Sequence, residues 1–85
     1  MKAENMQVMT TYVVTKPSTD RSLETGDHVW LSEDGALNLL PPDGKYPGWL
    51  EKDEWSDPLT SDFTVEECPG AVTKKYGREM AEFYM

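Results

Sequence analysis

The amino-acid sequence predicts a small, mainly β domain: a strongly bent antiparallel sheet or barrel of about five strands, with a C-terminal helix. Three observations carry this. Short stretches rich in β-branched and aromatic residues recur between Gly, Pro and Asp turn signals over residues 7–66. Asp34-Gly35 is flanked on both sides by apolar residues, which is a hairpin signal. Only beyond Cys68-Pro69-Gly70 does the apolar spacing change to that of a helix.

The elements follow in order. Residues 7–15, Gln-Val-Met-Thr-Thr-Tyr-Val-Val-Thr, contain no Gly or Pro and predict a strand ended by Pro17. The polar stretch after it holds one apolar residue, Leu23, which is expected to pin that loop to the core. Gly26-Asp27 turns the chain into the next strand. His28–Ser32 and Ala36–Leu40 then flank the Asp-Gly pair. A two-residue loop would pair Leu31 with Asn38 and mix polar with apolar residues on each face. A three-residue loop, Glu33-Asp34-Gly35, pairs Leu31 with Leu37 and Val29 with Leu39, so four aliphatics share one face. Register follows the face that must be buried, so the longer loop is expected, with Gly35 in the left-handed conformation.

Pro41-Pro42-Asp43-Gly44 is a second turn signal. Gly48–Glu51 is a short strand, and 52–58 a loop or a single helical turn. Residues 62–66 alternate polar and apolar, as a half-buried strand does. Thr64 followed by Glu67 also fits a capping box, so a helical turn is the rival reading. Val72, Tyr76, Met80 and Phe83 form a helical stripe over 71–84. Gly77 and the order of basic and acidic residues along that helix make its stability depend on packing.

The chain has 85 residues and reads as one domain, with a β core over 7–66 and the helix over 71–84. Its single cysteine, Cys68, rules out an internal disulfide and favours a reducing compartment. No signal peptide is legible at the start, and no apolar run exceeds three residues. A cytoplasmic protein with no membrane contact is therefore expected. The net charge is −8, and residues 20–67 hold thirteen acids against three bases. That balance argues against direct nucleic-acid binding, which places cations on phosphates, and suits a basic protein partner.

No catalytic constellation is legible. His28 is the only histidine, and neither it nor Cys68 carries a nucleophile signature. Asp53, Glu54 and Asp57, with Glu51, form an acidic cluster, but its spacing does not fit a calcium loop. No enzyme activity, metal or cofactor is expected. The candidate protein-binding residues are Trp30, Tyr46, Trp49 and Trp55, with Asp53, Glu54 and Asp57. A small core also needs its aromatics, and at least two of these four rings are expected to be mainly buried. Trp30 points away from Val29 and Leu31 and is exposed unless the terminal helix covers it.

Leu23 to Leu31 with its Gly26-Asp27 turn, then Asp34-Gly35, then Gly48-Trp49-Leu50 resemble an SH3-like small β-barrel over about residues 10–66. The stretch also resembles small uncharacterised proteins of phages and conjugative elements of Gram-positive bacteria. The resemblance implies a barrel fold and a bacterial or mobile-element origin, and transfers no activity. The polyproline-binding pattern of eukaryotic SH3 domains is not matched. Two functions follow as expectations: a non-catalytic protein-interaction module, or an acidic inhibitor that imitates nucleic acid, presenting Asp53, Glu54, Asp57, Asp62, Glu66 and Glu67.

Overall fold

A computed structural model of the chain describes residues 1–42 and 48–68. Five antiparallel strands form one open sheet: β1 (Tyr12–Lys16), β2 (His28–Leu31), β3 (Leu37–Leu40), β4 (Gly48–Leu50) and β5 (Thr64–Glu67). Their order is β4-β3-β2-β1-β5, so the first four make a meander and β5 returns to pair with β1. One short helix, α1 (Lys52–Trp55), lies between β4 and β5. The helix expected over 71–84, Tyr46 and the end of the Pro-Pro-Asp-Gly turn lie outside the described residues.

The central hairpin has the expected register. Leu31 pairs with Leu37 and Val29 with Leu39. Ser32 N–H donates to the Ala36 carbonyl at 3.0 Å, and Gly35 N–H to the Ser32 carbonyl at 3.0 Å. Gly35 has φ +89°, the left-handed conformation that lets a turn match the twist of its strands. Val29 and Leu37 are fully buried, Leu31 is nearly so, and Leu39 packs against them half-buried. Cross-strand partners share a face, so this inner face continues through Leu50 on β4, and through Tyr12 and Val14 on β1 to Val65 on β5. Each such side chain taken fully out of water contributes roughly 1.5–3 kcal/mol.

The rival readings of 62–67 resolve as strand over Thr64–Glu67, with Asp62 still in the preceding turn. Phe63 and Val65, two residues apart, both point inward and are fully buried, while Thr64 and Glu66 alternate outward. A helix would have turned one of the two apolar residues away from the core. The ladder to β1 is irregular between Val14 and Lys16, and there Thr15 and Thr64 hydroxyls meet at 2.9 Å. The 52–58 segment adopts the single helical turn. The Glu54 carboxylate reaches back to Glu51 N–H at 3.0 Å, so the capping motif appears one element earlier than Thr64–Glu67.

The first strand is shorter than the sequence pattern suggests. Residues 7–11 leave the ladder, and Met9 takes φ +64°. The segment before it forms a strap. Met1 and Val65 exchange backbone hydrogen bonds at 2.6 and 2.8 Å, Lys2 bridges Thr64, Ala3–Asn5 make a 3-10 turn, and Val8 bridges Leu31 in parallel. Ala3 and Met6 plug the core from this side. Tertiary packing of those two side chains overrides the β preference of residues 7–11.

The excursion between β1 and β2 is held as expected by Leu23, which is fully buried. A polar knot completes it. Asp20 accepts from the Ser18 hydroxyl at 2.9 Å, from Ser22 N–H at 3.0 Å and from the Thr60 hydroxyl. Nearby, Asp62 accepts from Thr19 N–H at 2.9 Å and from the Thr19 hydroxyl. The two carboxylates thus lace the 17–27 loop to the 57–62 turn.

Candidate functional site

A half-open groove of about 600 Å3 runs between the strap, the hairpin tip and α1. Ala3, Met6, Val8 and Leu31 give it apolar walls, Trp55 lies at its floor, and Lys2, Glu4, Glu33, Lys52 and Asp62 bring charge to it. Its geometry follows from three local devices. Asp34 locks the hairpin tip by accepting from Ala36 N–H at 3.1 Å and from the Ser32 hydroxyl. The Trp55 indole N–H donates to the Gly35 carbonyl at 2.9 Å, so α1 is tied to that tip. The Lys52 ammonium sits over the Trp55 ring, 5.2 Å from its centroid, where the ring quadrupole attracts a cation.

The predicted site residues do not form one open aromatic patch. Trp30 and Trp55 are each 8% exposed, so both rings are mainly core, in line with the expectation that at least two would be. Trp30, opposite Asn38, itself buried, offers little surface to a partner, and the terminal helix on which its expected exposure depends lies outside the described residues. Trp49 is half-buried on β4, paired with the same Asn38, and its indole N–H donates to the Glu51 carboxylate at 2.9 Å. Tyr46 lies outside the described residues.

Asp53, Glu54 and Asp57 are exposed along and just after α1 and are not among the residues that line the groove. Two of them are engaged locally, Glu54 on Glu51 N–H and Asp57 on Leu59 N–H at 2.9 Å. Among the described residues no three His, Cys, Asp or Glu side chains come together as metal ligands. His28 pairs with Val13 on one side of β1, and Cys68 follows β5 on the other. Two strand spacings, roughly 10 Å, separate those backbones, so the pair does not form a nucleophile and base.

Asp20, Asp62 and Asp27 have altered acidity. Hydrogen bonds from Thr60 and Ser22, opposed by partial desolvation, hold Asp20 down at about 2, against an ordinary 3.8. Thr19 does the same to Asp62, below the ordinary range. Asp27, 5% exposed, is pushed up by burial, against the bond it accepts from Glu24 N–H at 3.0 Å. All three serve the loop between β1 and β2, so their shifts are structural. Lys2, Val8, Leu31 and Lys52 are the groove residues that sequence reasoning missed. They lie far apart in the chain, and only the strap brings the first two against the hairpin.

Among the described residues no helix is long and apolar enough to cross a membrane. Compared with protein-family models, with curated proteins and with solved structures, the chain finds no match.

Proposed function

We propose that this protein is a non-catalytic interaction module of a bacterial or mobile element, binding an extended segment of a basic protein partner. The observation that carries the reading is the groove: apolar walls of Ala3, Met6, Val8 and Leu31, Trp55 tied to the hairpin tip by its bond to the Gly35 carbonyl, and the lining carboxylates of Glu4, Glu33 and Asp62. A preorganised trough of mixed apolar and polar lining binds with less ordering cost than a mobile surface, and its lining carboxylates favour a cationic peptide. The strand order, with β5 returning to β1 after a helical turn, supports the SH3-like reading.

Trp30 and Trp55 are buried, so truncating them would test folding rather than binding. The surface positions are Val8, 51% exposed, and Lys52, exposed on α1. The experiment is selection from a random-peptide display library on the full chain, followed by affinity measurement against Val8→Glu and Lys52→Glu variants. Enriched peptides should be basic, should keep measurable affinity at high salt through their apolar contacts, and should lose tenfold or more in affinity, about 1.4 kcal/mol, on Val8→Glu. Peptides that ignore both substitutions and whose affinity collapses with salt would overturn the groove reading and favour the nucleic-acid-mimicking inhibitor.

A further inference from the structure

We propose that the strap, residues 1–8, is an exchange element, and that a second copy of this chain is the partner for the outer side of β5. Such exchange does not depend on the groove; it follows from the hinge between strap and β1.

Three features of that hinge disfavour the closed form. Met9 has φ +64°, a conformation that L-residues other than Gly, Asn and Asp seldom adopt. The Thr11 hydroxyl is buried and finds no hydrogen-bond partner among the described residues. Residues 7–11 have the composition of a strand, yet they leave the ladder before Tyr12. Straightening the chain at Met9 would relieve the backbone strain and let β1 run on toward its N-terminus.

A straightened hinge carries the strap away from its own body. Its contacts are of a kind that a second copy supplies equally: the Lys2–Thr64 bridge, the Met1–Val65 pair and the core sockets of Ala3 and Met6. Exchange of this sort conserves the contacts of residues 1–6 and gives up the Val8–Leu31 bridge and the Met9 N–H bond to the Leu31 carbonyl, so the strain at the hinge decides its balance. Val8 and Met9, 51% and 41% exposed in the closed form, would lie on the new β1 extension, where two copies approach each other.

The test uses the full chain with Cys68→Ser. One preparation carries Lys2→Cys and a second carries Thr64→Cys, at positions that face each other across an antiparallel bridge within disulfide reach. The two are mixed at high concentration, unfolded and refolded together, oxidised, and analysed by non-reducing electrophoresis and by light scattering. The expected result is an inter-chain disulfide and a concentration-dependent dimer. Met9→Val, which is worse in the left-handed region, should favour the dimer over Met9→Gly by roughly tenfold per chain. A monomer at every concentration overturns the proposal, and so does a dimer that lacks the disulfide between positions 2 and 64. If Met9→Val fails to fold, the disulfide in the unaltered hinge still decides.

Discussion

Three glycines make the sharpest quantitative test of the backbone reading, because one substitution, Gly→Ala, should have three different outcomes. At Gly35 an added Cβ would lie 3.4 Å from Lys52 Cδ, a flexible neighbour that can give way. Space is therefore not the obstacle. The cost is conformational, since φ is +89°, and amounts to about 1–2 kcal/mol. In a domain of this size that is a fall in Tm of roughly 5–15 °C. At Gly26 the conformational cost recurs, with φ +95°, and the new Cβ would stand 2.9 Å from Pro42 Cγ. Overpacking against a ring that cannot rotate away adds roughly 1–3 kcal/mol. At Gly48 nothing lies within 4 Å, and φ is outside the left-handed region. There alanine should be neutral or stabilising by about 0.4–1 kcal/mol, through the unfolded chain. Urea unfolding with an unchanged m-value measures all three. The order of loss should be Gly26, then Gly35, then Gly48 with its sign reversed. Equal losses at Gly35 and Gly48 would refute the assignment of the hairpin turn.

Two further outcomes follow from packing and from acidity. Leu37→Ala, at a fully buried position, should cost about 2–5 kcal/mol in urea unfolding, and Leu39→Ala at its half-buried neighbour clearly less; equal costs would contradict the inner-face assignment. Asp20 and Asp62 have folded pKa values below their unfolded ones, so their contribution is complete above about pH 4 and is lost as pH falls through the folded values, about 2 for Asp20. Asp20→Asn should flatten the fall of Tm with acid between about pH 4 and 2. Asp27 has the opposite sign: its pKa is raised, so its contribution is present in acid and is lost as pH rises through the folded value. Asp27→Asn keeps an acceptor for Glu24 N–H and removes a buried charge, so it should raise Tm at pH 7, with a gain that shrinks toward pH 4.

Much of the fold was legible because its signals are local. Asp34-Gly35 with aliphatics on either side specifies a hairpin, and the demand that Val29, Leu31, Leu37 and Leu39 share a face selects its register. Gly26-Asp27 and Leu23 mark the loop between β1 and β2 in the same way. The alternation of Phe63 and Val65 indicates a strand in spite of a competing capping pattern. Little of the candidate site was legible. Trp30 has the composition of a binding residue and is buried, because what covers a sheet face is decided by segments distant in sequence.

By itself, the sequence determined a mainly β domain, the turns, the central register and the acidic middle of the chain, each of which depends on a few neighbouring residues. Only the tertiary structure decided that residues 7–11 bend instead of continuing a strand, that Asp20 and Asp62 lace two loops together, and that Lys2 and Val8 meet Lys52 and Trp55 across one groove. The physical reason is the same in each case. Burying Ala3 and Met6, or satisfying a carboxylate with a hydroxyl some forty residues away, is a gain that no local pattern encodes, and it is large enough to override the local preference.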